Sequence, residues 1–211
     1  MTHVPDADAD IDSALSTMVD VSFATAGGSL PSAHRRLLAD ALERALPWLA
    51  GLPDAGVHRL QVAADDGAQA LLSRRTRLTL RVPRERADAL KVLVCSWLPV
   101  GPSTIELGAV RLRELVPHGA LYAHLVAADD ADELAFLAGV EAELKSLGVR
   151  GRPICGRHRV LEAGALQGFG LMLDGLSQAA ALRLLEAGIG RHRRLGCGVF
   201  VPHKSSVAVG A

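Results

Sequence analysis

The sequence predicts an α+β protein made of two ferredoxin-like (RRM-like, βαββαβ) modules in tandem. Two observations carry this. The order strand, helix, strand, strand, helix, strand can be read twice along 211 residues, a length that suits two domains of about 100 residues each. Each reading contains amphipathic helices beside strands that alternate in polarity, the pattern of helices packed on one face of an antiparallel sheet.

In the first module, 18–117, "TMVDVSFAT" alternates Met18, Val19, Val21 and Phe23 as a strand does. Pro31 and Ser32 open a helix that sets Leu37, Leu38, Ala41, Leu42, Ala45 and Leu46 on one face and ends around Pro47 to Gly51. "GVHRLQVAA" reads as a short strand. "RTRLTLRV" places Leu78, Leu80 and Val82 on one face. "PRERADALKVL" begins with proline as helices do, and "STIELGAVRLREL" is a long strand or a bent pair. The second module, 118–205, starts with the strand "ALYAHLVA". The helix "DADELAFLAGVEAELKSLG" presents Leu134, Leu137, Val140, Ala142 and Leu144 and is capped by Gly148. "PICGRHRVLEAG" and "ALQGFGLMLDG" form a hairpin around Ala163 and Gly164. A helix runs from near Ser177 to Gly188, and "CGVFVP" is the last strand. Residues 1–17 read as a flexible acidic leader without the basic-then-apolar order of a signal peptide.

Composition narrows the function classes. Hydrophobic residues make up 49% of the chain but aromatics only 3%, so the core is built from Leu, Val and Ala. No apolar run reaches the length of a membrane span, so no membrane partner is expected. Cys95, Cys155 and Cys197 lie far apart with no C-x-x-C, which argues against a zinc site or a disulfide framework and suits a cytoplasmic location. There is no H-E-x-x-H and no acidic pair at metal spacing, so neither metal nor cofactor is expected. The net charge is zero, yet ten Lys and Arg face three Asp and Glu from Lys145 onward, a local +7. A basic C-terminal part in a neutral whole can bind a polyanion.

The loop "GIGRHRRLGCGVF" concentrates that charge. Gly188, Gly190, Gly196 and Gly198 bracket Arg191, His192, Arg193 and Arg194. The spacing is neither a P-loop nor a dinucleotide fingerprint, since the loop follows a helix and precedes a strand. Glycines allow close backbone approach and arginines supply forked cationic donors, a combination that suits phosphates. The competing reading is a helix cap, turn glycines and solvated arginines.

Gly-hydrophobic-Gly, five residues, Gly-hydrophobic-Gly, placed between the last helix and last strand of a second ferredoxin-like module, resembles the signature of the RAMP superfamily of CRISPR-associated proteins. More narrowly, the chain resembles the CRISPR precursor-RNA-processing endoribonucleases of the MYXAN subtype. The matching segments include "VDVSFATAGGSLPSAH", "LLSRRTRLTLRVP", "VRLRELVPHGALYAHLV", "LGVRGRPICGRHRVL" and "LLEAGIGRHRRLGCGVFVPHK", in order over roughly Val19 to Lys204. The resemblance implies metal-independent cleavage of CRISPR repeat RNA to guide crRNA. The 2′-OH beside the scissile phosphate attacks it, leaving a 2′,3′-cyclic phosphate and a 5′-OH. It also implies a catalytic histidine in or just after the first helix of the N-terminal module. That leaves His58 and His34, with His58 slightly preferred. A histidine is suited because its pKa lies near neutrality. Several related enzymes carry a tyrosine near the catalytic histidine on that helix. Here "HRRLLADALERALPWL" has none and the one tyrosine of the chain is Tyr122, so the second acid/base group is unassigned. Arg35, Arg36 and a basic group of the glycine loop are candidates to stabilise charge instead.

Expected RNA contacts are Gly188, Gly190, Arg191, His192, Arg193, Arg194, Gly196 and Gly198. Arg74, Arg75 and Arg77, and then Arg157 and Arg159, would track phosphates of a repeat RNA along a cleft between the modules. The expected partners are CRISPR repeat RNA, crRNA and other subunits of a type I CRISPR interference complex. The alternative is a non-catalytic RAMP-type subunit that holds crRNA without cutting it. A third reading, a paired ferredoxin-like protein for a ligand other than RNA, leaves the glycine loop unexplained.

Overall fold

Strand β1, Met18–Thr25, is the centre of the first sheet in this computed structural model, which describes residues 16–26 and 28–203. Val19, Val21 and Phe23 point to one face and join the first hydrophobic core. Asp20 and Ser22 point to the other. On one side β1 pairs antiparallel with β6, Arg77–Pro83, in a register that sets Asp20 opposite Arg81. On the other side it pairs antiparallel with β8, Ser103–Glu114. With β3, Gly56–Val57, and β7, Ser96–Val100, the sheet order is β3-β6-β1-β8-β7. The first four of these follow the 2-3-1-4 strand order of a ferredoxin-like unit. A separate three-stranded sheet is formed by β2, Gly28–Pro31, β4, Ala64–Asp65, and β5, Gln69–Leu72.

Helix α1, Arg35–Ala45, buries Leu38, Ala39, Ala41 and Leu42 against this sheet. It starts later than Pro31 and Ser32 suggest, because Pro31 ends a strand. "GVHRLQVAA" is shorter than expected: only Gly56 and Val57 are strand, although the His58 N–H still reaches the Thr79 carbonyl at 2.9 Å. "PRERADALKVL" is also corrected. It forms two 3₁₀ segments, Arg84–Arg86 and Asp88–Leu93, rather than an α-helix. Leu90 and Leu93 still deliver its apolar face to the core.

The second sheet has the order β10-β11-β9-β12, again 2-3-1-4. Its strands are β9, Ala120–Ala127, β10, Arg152–Leu161, β11, Leu166–Asp174, and β12, Val201–Pro202. The last is much shorter than "CGVFVP" suggests. Helix α2, Glu133–Ser146, is capped by Asp132, whose carboxylate accepts the N–H groups of Leu134 and Ala135. It buries Phe136, Val140 and Leu144, while Leu134 stays exposed. Helix α3, Gln178–Ala187, is capped by Ser177 and ends at Gly188, as expected. Of the acidic leader, residues 1–15 lie outside the described residues. Ser16 and Thr17 both bond to Glu186 at the end of α3.

The face of the first sheet that carries Asp20 and Arg81 meets the end of α3 and the segment before β12. Arg81, 1% exposed, is the pin between them. It binds Asp20 through two hydrogen bonds of 2.8 and 2.9 Å, and donates to the carbonyls of Leu185 and Phe200 at 2.8 and 2.9 Å.

Candidate nucleic-acid cleavage site

His34 precedes the first turn of α1 as its N-cap, but its side chain caps nothing. Its Nδ1 lies 3.0 Å from the Pro31 carbonyl. A carbonyl only accepts, so Nδ1 carries the proton and Nε2 is left with its lone pair. Burial lowers the pKa of His34 below its ordinary 6.5, and Arg35 adds to that. The Pro31 bond and the carboxylates of Glu162 and Asp65 oppose it without reversing it.

His58 follows β3 and is held differently. Its Nε2 sits 3.0 Å from Asp20, and the ring is 15% exposed. Burial lowers its pKa against the pull of Asp20. Burial also opposes ionisation of Asp20, but the hydrogen bonds from His58 and Arg81 outweigh it and keep that carboxyl far below its ordinary range.

The structure brings both histidines to one seam. His34, Arg35, His58, Arg59, Arg194 and Gly196 line a small cavity at the meeting of α1, β3 and the glycine loop. Its volume, about 10 Å³, is room for roughly one water. It is a place where side chains meet, too small to enclose more than that.

The glycine loop is packed more tightly than a solvated loop. A Cβ on Gly198 would stand 1.9 Å from the Ile189 carbonyl oxygen, and one on Gly188 would stand 2.1 Å from Arg193 Nη1. These glycines let the loop fold onto itself. Arg193 faces inward, donates to the Glu186 carbonyl at 3.1 Å, and has its pKa pushed down to about 10 by burial, with Arg81 adding to it. Arg191 pairs with Asp129, and Arg194 with Glu43 at 2.6 Å. Gly190 donates its N–H to Glu143 at 2.7 Å. His192 adopts the left-handed conformation, with φ of 65°. On the loop's outer side a cavity of about 430 Å³ is lined by Arg36, Arg191, His192 and Arg194, together with Asp40 and Glu43.

Other expected contacts are distributed. Arg74 and Arg75 are exposed in the turn between β5 and β6, and Arg77 folds back onto the carbonyls of Arg74 and Thr76. None of the three lines the seam. Arg157 is exposed at a register irregularity in β10. Arg159 lies within electrostatic reach of Arg35 and His124, at the seam's edge.

The sequence reading missed several residues that build this site. Arg59 donates from Nη1 to His124 Nδ1 at 3.3 Å, joining the two modules. Glu162, in the β10–β11 turn, accepts the N–H groups of Arg35 and Arg36 at 3.1 and 3.4 Å. Asp20 left one readable sign, as the one charged residue of β1, whereas Arg81 left less, because β6 also holds Arg77 and Thr79. Glu162 left none, since its partner is 127 positions away. No group of His, Cys, Asp and Glu that could hold a metal occurs among the described residues. No helix among them is long and apolar enough to cross a membrane.

Comparison with known proteins decides the family. The sequence model described as "Cas6 Crispr" matches residues 19–205. The chain belongs to the Cas6 family. It is 38% identical over 191 residues to the CRISPR-associated endonuclease Cas6 of Myxococcus xanthus (strain DK1622), covering 89% of this chain and 83% of that protein. Among solved structures it is similar to a CRISPR-associated protein Cas6, with a TM-score of 0.61 at 9% identity, covering 90% of this chain and all of that one. It is also similar to a RAMP protein described as binding different RNA substrates, with a TM-score of 0.55 at 15% identity over 86% of this chain and 98% of that one. A Cas6-related protein from Pyrococcus furiosus gives 0.54 at 11% identity over 87% and 98%. At these identities the structural likeness speaks for the fold, the tandem ferredoxin-like arrangement that other Cas6 members share.

Proposed function

We propose that this Cas6 member is an endoribonuclease that cuts CRISPR repeat RNA in the precursor transcript and yields guide crRNAs. Membership of the family and the named activity of the Myxococcus relative support the reaction class. The observation that carries the mechanism is the meeting of His34, Arg35, His58 and Arg59 with the glycine loop at one seam.

Our reading assigns the base to His34. Its ring is less deeply buried than that of His58, and its free lone pair lies on Nε2, away from the backbone bond. His34 Nε2 takes the proton of the 2′-OH. The 2′-oxygen bonds to phosphorus, the bond to the 5′-oxygen breaks, and that oxygen leaves with a proton drawn from solvent. Products are a 2′,3′-cyclic phosphate and a 5′-OH. His58, tied to Asp20, which in turn binds Arg81, positions the seam. Arg191, His192 and Arg194 contact RNA from the loop's outer face, while Arg193 belongs to its scaffold. Arg74, Arg75, Arg77 and Arg157 extend the phosphate track. Modules spanning 18–117 and 118–205, a cytoplasmic location and retention of crRNA within a type I interference complex are parts of the same reading.

The test is cleavage of a labelled cognate repeat RNA in EDTA by the wild type, His34→Ala and His58→Ala, with a 2′-deoxy scissile nucleotide as control. Cleavage in EDTA that His34→Ala and the deoxy RNA both abolish is the expected result. Tight binding without cleavage by the wild type moves the protein to the alternative reading, a crRNA-holding subunit.

A further inference from the structure

His34 can supply one proton-transfer group, and the first helix carries no tyrosine to supply another. The second module brings a different histidine to the same seam. His124 stands in the middle of β9 and is partly buried. Arg59 Nη1 lies 3.3 Å from its Nδ1. A guanidinium only donates, so His124 Nδ1 must accept, and the proton of the neutral ring sits on Nε2. The tautomer is thus opposite to that of His34, whose Nε2 is bare.

The surroundings keep it neutral. Burial first, then Arg59, Arg159 and Arg35, push the His124 pKa down to about 4. These cations have few local partners. Arg35 spends one donor on the Leu195 carbonyl at 2.8 Å, and Glu162 is the carboxylate that acts on it. Arg159 Nε is buried without a hydrogen-bond partner. Gly196 lets Arg35 and the loop approach closely here, since a Cβ on it would press on Arg35 Nη1 at 3.0 Å and on the Val57 carbonyl at 3.2 Å. Arg59 is bonded to His124, and Arg159 and Arg35 lie close enough to act on the same ring, so three guanidiniums beside a neutral imidazole N–H make a receptor for a tetrahedral anion.

We propose that Arg59, Arg159 and His124 hold the scissile phosphodiester of the RNA, with His124 a catalytic residue that donates its Nε2–H to a non-bridging phosphate oxygen. The proposal rests on the cleavage reading above. His34 removes the 2′-OH proton, while Arg59 of the same module and His124 and Arg159 of the second module receive the charge that grows on the phosphoryl oxygens. No proton is transferred by His124. It stays neutral throughout, as a fixed dipole that needs no reorganisation during the reaction.

The experiment is single-turnover cleavage of the labelled repeat RNA by wild type, His124→Ala, His124→Gln and Arg159→Gln, with RNA affinity measured separately. Each is repeated on RNA carrying a single Rp or Sp phosphorothioate at the scissile position. Loss of one donor to a developing oxyanion costs about 10²- to 10³-fold in rate. His124→Ala should fall by that order with RNA affinity little changed, and its discrimination between the two thio diastereomers should shrink. His124→Gln, which keeps an N–H donor, should recover most of the rate. Should His124→Ala fail to fold, Arg159→Gln carries the test, with slower cleavage and weaker thio discrimination expected. Wild-type rates in both variants, or slow rates with thio discrimination intact, overturn the proposal and leave the cleavage reading standing. A wild type that does not cleave overturns both.

Discussion

The carboxylate of Glu162 accepts the backbone N–H of Arg35 at 3.1 Å and that of Arg36 at 3.4 Å. It therefore does for α1 what a side chain at the N-cap usually does, from the other module. His34 occupies the N-cap and gives no such bond. The carboxylate also sits where the positive end of the helix dipole favours it. Glu162 and Ala163 both hold φ of 52°, an uncommon conformation for residues with a Cβ, and that turn delivers the carboxylate.

Glu162→Ala should cost about 1 kcal/mol, the usual cost of losing a helix cap, read by urea denaturation. It should also slow RNA cleavage, because the start of α1 carries the base. Glu162→Gln keeps one acceptor and should fall between the alanine variant and the wild type. A wild-type cleavage rate in Glu162→Ala would show that the cap does not govern the position of His34.

Asp20→Ala should be far more costly. It leaves Arg81, 1% exposed, without its counter-ion. Breaking one side of a buried ion pair costs about 3–5 kcal/mol. The same change frees His58 Nε2 and loosens the pin to Leu185 and Phe200. A shift of the urea midpoint no larger than that of Arg36→Ala, which loses only the exposed ion pair with Asp40, would contradict the role assigned to this network.

Gly198→Ala tests the loop as packing rather than as flexible chain. Its φ is 63° and the added Cβ would lie 1.9 Å from the Ile189 oxygen, so backbone must move. A loss of about 1–3 kcal/mol is expected from such strain. Limited proteolysis should reveal new cutting near residues 188–198. Unchanged stability and protection would mean the loop has room that the structure does not give it.

The pH dependence of cleavage follows from His34. The base works when neutral, so the rate is full above its pKa in the folded protein and falls as pH drops through it. Burial holds that pKa below the ordinary 6.5. The acid limb of the rate profile should therefore lie below 6.5, with the rate flat from there to neutrality. His124, down at about 4, should add nothing above that limb. An acid limb centred above 6.5 would remove His34 from the role of base.

Much of the fold was legible because its signals are local. Leu78, Leu80 and Val82 alternate on one side of β6, and Asp132, Ser177, Gly148 and Gly188 bound the helices α2 and α3 by ordinary capping chemistry. The misreadings came where tertiary packing overrode local signs. Pro31 ends a strand that pairs with β5, and "PRERADALKVL" winds as 3₁₀ turns. The glycine loop was legible as a spacing but not as a shape. Its cluster of cations read as solvated charge or a phosphate cradle, whereas Arg193 turns inward and Arg191 and Arg194 pair with Asp129 and Glu43.

By itself the sequence determined the tandem ferredoxin-like fold, the glycine signature between α3 and β12, and the family to which these belong. Those depend on periodicity, caps and spacing, which act over a few residues. Only the tertiary structure decided which chemistry-bearing groups meet. His34 and His58 share a seam because α1 and β3 pack beside the loop. His124 reaches it because Arg59 crosses between modules. Arg81 is buried because Asp20 stands opposite it in register. The bonds that hold these meetings join residues 38 to 160 positions apart. Contacts at that separation are selected by the free energy of the whole packed molecule, and no short stretch of chain encodes them.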